Sequence, residues 1–228
     1  LKLFEILRDK SNGLLHQGRG FQGKGVISQD NWSRGNGWGA LSLATLVRDL
    51  PDSHPQKKAV NALAKEYFTD ILKFQDSEGM FHQEMSDPKS YVETSGTGLL
   101  LYSVGIGIEK GLLPEKYKKN IELGLSGLTS YIAEDGSINN TCVGCLCPKD
   151  GTKEDYINQA YVYNEPHAFG AIVLAMVQGY RLGIKEITPL KKLGIYAQQV
   201  PYEQVPPQMV FRYLSQYKRT LAWENDKI

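Results

Sequence analysis

The chain has 228 residues, with 26 Lys and Arg against 25 Asp and Glu, a formal net charge of +1 and 41% hydrophobic residues. That length can bury a large core within one domain. Charges of both signs are interspersed without a basic stripe, which speaks against nucleic acid. Gly or a charge interrupts every apolar run before it reaches the length of a membrane span.

The first residues, Leu-Lys-Leu-Phe-Glu, lack an initiator Met and any signal-like segment, and read as a cut product that leaves export open. An amphipathic helix is expected over 2–9, followed by a long loop, 10–33. The stretch 38–50 is apolar nearly all round and reads as a helix buried on more than one side. A short link around Pro51 and Pro55 leads to 57–75, where Val60, Leu63, Ala64, Tyr67, Ile71 and Phe74 recur at helical spacing opposite a charged face. A second long loop, 76–93, precedes an apolar stretch at 97–108 that carries Gly98, Gly105 and Gly107. Pro114 then fits the first turn of an amphipathic helix over 115–133. A third long loop, 134–164, leads to the apolar stretch 168–180, and 186–198 has the pattern of one more amphipathic helix.

Buried and amphipathic helices therefore alternate, joined by links that alternate between short and long. If the pairs run antiparallel, every long loop lies at one end of the array, at the N-termini of the inner helices. This all-α layout is that of an α/α toroid, and it predicts a working face on the long-loop side. A weak internal repeat agrees with it: Gly13-Leu14-Leu15-His16-Gln17, Gly79-Met80-Phe81-His82-Gln83 and Asp135-Gly136-Ser137-Ile138 each follow an amphipathic helix. A closed ring needs about six pairs, and roughly three are present, about half of an (α/α)6 barrel. The expected partner is a missing N-terminal half-toroid or a second chain. After Pro201, Pro206 and Pro207 the character changes. The toroid is thus expected over 1–200, with a linker and the start of a further domain over 201–228.

The segment Asp30-Asn31-Trp32-Ser33-Arg34-Gly35-Asn36-Gly37-Trp38 places two indoles, a guanidinium, an amide and a carboxylate at the mouth of an apolar helix. A guanidinium can fork onto a carboxylate, and indoles stack on the C–H face of a sugar ring. Trp32, Arg34, Asn36 and Trp38 are therefore candidates for binding an anionic sugar. Ser33 is a candidate helix cap. Glu93 opens the second buried helix beside Thr94 and Ser95, the expected caps. It either sits in the helix dipole, or faces the groove to orient sugar hydroxyls or support Arg34. Asn164 and Pro166 make a good start for the third, which turns His167 toward the same end. His16 and His82 hold matching places in the repeat. Asp30 is the acid nearest the cluster. As a general acid it would need a raised pKa and reach to the substrate; otherwise it caps a turn or pairs with Arg34.

Cys142, Cys145 and Cys147 fall in one loop. Loop packing or one local disulfide accounts for them more simply than zinc, which needs a fourth ligand; His167 is a possible one, though other signals claim it. No metal or cofactor is expected.

These helix starts resemble the unsaturated glucuronyl and rhamnogalacturonyl hydrolases, glycoside hydrolase families 88 and 105, family 105 more closely. The matching pieces are Gly13, Leu14 and His16; Trp-Ser-Arg-Gly-Asn-Gly-Trp at 32–38; Glu-Thr-Ser-Gly at 93–96 with Lys-Gly at 110–111; and Asn-Glu-Pro-His at 164–167. The resemblance spans about 10–183 and implies an (α/α)6 toroid. Its implied substrate is an oligosaccharide ending in a 4,5-unsaturated uronate left by a polysaccharide lyase. It also implies a bacterial cytoplasmic or periplasmic setting, without choosing between them. An aspartic acid of the family protonates the enol ether and activates water, with no metal. By position, Arg34 is implied to meet the substrate carboxylate or a neighbouring hydroxyl, and Trp32 and Trp38 to line the pocket. His16 matches with a one-residue shift. The family's principal catalytic aspartates precede the Gly-Leu…His turn, so no residue here inherits that role, and this portion alone is expected to be inactive. The competing reading is a non-catalytic glycan-binding half-toroid.

Overall fold

The computed structural model describes residues 1–144 and 147–191. Its main helices are α1 (Lys2–Leu7), α2 (Ser33–Asp49), α3 (Lys57–Ile71), α4 (Thr94–Glu109), α5 (Lys118–Thr129), α6 (Lys153–Ile157) and α7 (Pro166–Arg181). Single 3-10 turns extend α3 over Leu72–Phe74 and lead into α5 over Glu115–Tyr117. Two short antiparallel strands, β1 (Thr141–Cys142) and β2 (Tyr161–Val162), pair within the third long loop.

The inner layer is α2, α4 and α7 side by side, with α3 packed behind α2 and α4, and α5 behind α4 and α7. Small residues make this possible. A Cβ at Gly96 would come within 2.7 Å of Ser33, one at Gly37 within 2.8 Å of Leu99, and one at Gly98 within 2.7 Å of the Ala171 backbone. Gly105 meets Gln178 in the same sense, so the inner helices run parallel and touch nearly backbone to backbone. This is an arc of an α/α toroid.

Every residue of α4 from Thr94 to Ile108 is buried. Helices α2 and α7 differ from the expectation of burial all round. Trp38 and Leu46 on α2 are exposed, as are Phe169, Val173, Val177 and Tyr180 on α7. The sequence pattern registers apolarity on every side; it cannot register that, among the described residues, these two helices stand at the ends of the arc with one flank uncovered. The amphipathic helices behave as their periodicity predicts: Val60, Ala64, Tyr67 and Ile71 of α3, and Ile121, Leu125 and Leu128 of α5, are fully buried.

Three hairpin turns carry the internal repeat. Gly13, Gly79 and Gly136 occupy φ values of 85°, 81° and 82°, the left-handed region glycine enters without a Cβ penalty. A backbone bond closes each turn, Gly79 N to Asp76 O and Gly136 N to Ala133 O across three residues, and Gly13 N to Asp9 O across four.

The helix caps are displaced from those expected. The N-caps of α2, α4 and α7 are Trp32, Glu93 and Glu165 rather than Ser33, Thr94 or Ser95, and Asn164. Asn164 instead takes a positive φ of 54°, its side chain accepting from Ile138 N. Of the helix expected over 186–198, residues 186–191 are not helical. Residues 192–198 lie outside the described ones, as does the proposed tail 201–228. Cys142 and Cys147 carry buried thiols rather than a disulfide, so the local bridge does not form between these two; Cys145 lies outside the described residues. Among the described residues no group of three metal-binding side chains occurs, and no helix is long and apolar enough to cross a membrane.

Candidate active site

The three inner-helix N-termini meet at one rim, and polar side chains stitch them together. Glu93, the α4 cap, is fully buried. Its carboxylate accepts from Ser95 N at 3.1 Å, Ser95 Oγ at 2.7 Å and Gly96 N at 2.5 Å within its own helix. It also accepts from Ser33 Oγ of α2 at 3.3 Å and from Cys142 N of β1 at 3.0 Å. Five donors on one carboxylate make Glu93 the peg of the rim. No lone pair is left to orient a sugar.

Arg34 sits in the first turn of α2 and is 1% exposed. Its Nη1 lies 3.3 Å from Glu165 Oε2, its Nη2 donates to Val143 O at 2.7 Å, and its guanidinium carbon lies 5.0 Å from the Trp32 ring centre. Buried charge needs both a counter-charge and hydrogen bonds, and Arg34 has both. Glu165 caps α7 through His167 N at 2.8 Å and holds His167 Nδ1 at 2.7 Å. Burial pushes the Glu165 carboxyl up, but the His167 hydrogen bond and the Arg34 charge outweigh it, so the group titrates below its ordinary value. An unbroken chain of bonds thus links Arg34, Glu165 and His167. The His167 ring is nearly half exposed, at 47%.

Trp32 caps α2 without a side-chain bond and is 5% exposed. Its indole Nε1–H is buried and meets no acceptor among the described residues. Such orphaned donors are uncommon in native proteins. The α2 start therefore differs from the other two, having an arginine and an unpaired indole N–H where α4 and α7 have a glutamate.

The remaining candidates divide. Asn36 is fully buried, and its amide is consumed by the framework. Oδ1 accepts from Leu15 N and Tyr67 OH, and Nδ2 donates to Leu15 O and Trp32 O. It ties the Gly13 turn to α2 and has no bond left for a ligand. Asp30 is also fully buried; it accepts from Gln17 N, Ser28 Oγ at 2.6 Å and Trp32 N at 3.0 Å. That is the turn-capping alternative, and the partner of Arg34 is Glu165. His16 and His82 adopt the same pose in their repeats. Nδ1 is bonded to Asp30 O at 2.8 Å and to Ser90 O at 2.5 Å respectively, with Nε2 4.0 Å from Asp9 and 3.8 Å from Asp76. Trp38 stands at 47% exposure on the open flank of α2, apart from the Arg34 cluster.

Two acids went unnoticed in the sequence. Glu165 hid behind Asn164 and Pro166, the more familiar helix-start residues. Glu84 is fully buried, accepting from Asn31 N at 2.6 Å and Ser86 Oγ at 2.7 Å. Burial raises its pKa to about 7, with Asp30 adding to the rise and the two hydrogen bonds opposing it. Its place just after the Gly79–Gln83 repeat unit is the one signal that could have drawn attention to it.

The model of Glycosyl Hydrolase Family 88 matches residues 2–183. An unsaturated 3S-rhamnoglycuronyl hydrolase of Alteromonas sp. (strain LOR) is 30% identical over 111 residues, covering 47% of this chain and 27% of that protein. An unsaturated rhamnogalacturonyl hydrolase of Bacillus subtilis (strain 168) is 24% identical over 148 residues, covering 64% of this chain and 41% of that protein. The chain therefore spans less than half the length of these curated relatives. Among solved structures, a family 105 glycoside hydrolase of C. acetobutylicum ATCC 824 superposes with a TM-score of 0.68 at 25% identity, over 79% of this chain and 56% of that one. A possible family 105 member from Salmonella enterica serovar Paratyphi A also scores 0.68, at 22% identity over 77% of this chain and 46% of that one. The family match takes in all three inner helices and the rim they share: the chain belongs to Glycosyl Hydrolase Family 88.

Proposed function

We propose that this chain forms part of a glycoside hydrolase that removes a 4,5-unsaturated uronic acid from the end of an oligosaccharide. The observation that carries this reading is the start of α2. There a buried guanidinium, an indole face and an unpaired indole N–H occupy one rim, and the curated relatives are named as hydrolases of unsaturated uronyl sugars. Arg34 supplies the positive charge for the substrate carboxylate, and Trp32 supplies a hydrogen-bond donor and a flat wall. His167 and His16 border the rim as further donors or acceptors for hydroxyls. Trp38 and His82 are assigned outer-wall positions.

The reaction is hydration of the enol ether. A proton adds to C4 and water oxygen to C5; the resulting hemiketal opens, and the remaining sugar leaves as an alcohol. This differs from displacement at the anomeric carbon by a carboxylate pair. No acid of this chain is given the proton. Asp30 already accepts from three residues, and Glu93 from four.

The test uses the full-length polypeptide that carries this sequence and a panel of lyase-derived disaccharides, following loss of the enol ether absorbance. Turnover with Arg34→Ala reduced by about 2–4 kcal/mol of transition-state stabilisation supports the reading. Thermal unfolding of the same variant separates lost chemistry from a lost fold. Binding of the disaccharides without turnover by the intact protein leaves the glycan-binding alternative in place of the hydrolase.

A further inference from the structure

The chain enters α2 as one strand of a short two-stranded ribbon. Ser33 N donates to Gln83 O at 2.9 Å and Met85 N to Asn31 O at 3.0 Å, and Trp32 opposes Glu84 between these two bonds. In a pair of this kind the two residues approach closely and their side chains leave the ribbon on the same face. The Glu84 side chain then turns back onto the ribbon and accepts from Asn31 N at 2.6 Å, where a backbone carbonyl would otherwise serve. A carboxyl of the second long loop thus helps to hold the residue that caps α2, and Arg34 follows two positions on.

Glu84 is 0% exposed, so it is already enclosed and no group from elsewhere can reach it. Its side-chain partners are Asn31 N and, at 2.7 Å, Ser86 Oγ. Neither is a cation. The charged and titratable groups around it come from three directions. Asp30 of the first long loop favours the proton on Glu84, and Lys153 of α6 opposes it. Asp87 follows in its own turn. Behind the ribbon, Asp9 reaches Asn31 through the Asn12 amide, and His16 Nδ1 is bonded to Asp30 O. A sealed carboxyl with hydrogen bonds and no paired cation is best satisfied as the neutral acid. In that form Oε1 donates to Ser86 Oγ while Oε2 accepts from Asn31 N. Without the proton, an unscreened negative charge stands close to Asp30.

We propose that Glu84 is a positioning residue for the rim: its proton keeps the ribbon at Asn31 and Trp32 closed, and loss of that proton as pH rises loosens the start of α2. The Trp32 indole and the Arg34 guanidinium lose their fixed pose with it, and the saccharide they hold is released. The ribbon rests on the fold and the effect on a saccharide rests on the hydrolase reading, so the two can fail separately.

The test is a titration from about pH 5.5 to 8.5 of the full-length polypeptide that carries this sequence, labelled with nitrogen-15 at tryptophan. Trp32→Phe identifies the Trp32 indole signal. In the parent that signal should shift or broaden with an inflection at about 7. In Glu84→Gln it should keep its low-pH position throughout, because the amide copies the neutral acid, accepting from Asn31 N and donating to Ser86. His16 is the other titratable side chain that reaches Asp30. An inflection that survives in Glu84→Gln therefore belongs elsewhere and overturns the proposal, as does a parent signal that stays still. Calorimetry with an unsaturated disaccharide is the second readout. Affinity should fall about tenfold over this range in the parent and stay within about twofold in Glu84→Gln. An equal fall in both proteins overturns the positioning role and leaves the hydrolase reading standing. An indole that titrates through Glu84 in a protein that binds no disaccharide supports the positioning and sinks the hydrolase reading.

Discussion

The starts of α4 and α2 occupy equivalent places in the repeat and are built for opposite purposes. At α4, Glu93 folds back onto the first-turn amides and also collects Ser33 and Cys142, so the carboxylate is saturated. At α2 the cap is an indole with an unpaired N–H, and the charge in the first turn is positive. A helix N-terminus favours anions. One start satisfies that preference internally; the other adds a guanidinium to it and leaves a donor over. The polar residues of a rim cannot be sorted into framework and site by type. What sorts them is how many of their hydrogen bonds the protein already uses.

The largest test of that contrast removes the peg. Glu93→Ala strands several buried donors at once, and a loss of about 3–5 kcal/mol in unfolding free energy is expected from urea denaturation, with Glu93→Gln in between. A loss below about 1 kcal/mol for Glu93→Ala would break the comparison.

Glu84 sharpens it through pH. Its folded pKa of about 7 lies above the ordinary 4.5, so the folded state holds a proton that the unfolded state has released. Stability contributed by this group is complete below pH ~4.5 and is lost as pH rises through about 7. The expected loss is a few kcal/mol by pH 8. Glu84→Gln should flatten this slope in thermal melts taken from pH 5 to 8; an unchanged slope would remove Glu84 as its origin.

The smallest effect on folding is expected at the other helix start. Trp32→Phe deletes a buried donor that has no partner among the described residues, so unfolding free energy should change by no more than about 1 kcal/mol. If that N–H serves a ligand, affinity of the full-length protein for an unsaturated disaccharide should still fall about tenfold by calorimetry. A variant that binds as tightly as the parent would reduce Trp32 to a wall.

Much of this was legible in the chain itself. Local periodicity set the alternation of apolar and amphipathic helices, because a helix facing protein on one side must carry polar residues on the other. The Gly-containing turns at 13, 79 and 136 revealed the repeat, since few residues other than glycine enter that backbone region readily. The Trp32–Trp38 segment pointed to a binding rim. Asn36 and Asp30 read as available polar groups and proved to be saturated, because their partners, Leu15, Tyr67 and Gln17, are distant in sequence or differently labelled by pattern.

The sequence alone therefore located the main helices α2 to α5 and α7 and the end of the array that collects the long loops, consequences of nearest-neighbour periodicity, while it missed α6 and expected a helix over 186–191 that does not form. Tertiary structure alone decided that Glu165 joins Arg34 to His167, that Glu84 is sealed from water, and that among the described residues α2 and α7 stand at the ends of the arc. Those facts depend on residues 53 and 131 positions apart meeting at one rim, and a one-dimensional pattern carries no record of such distances.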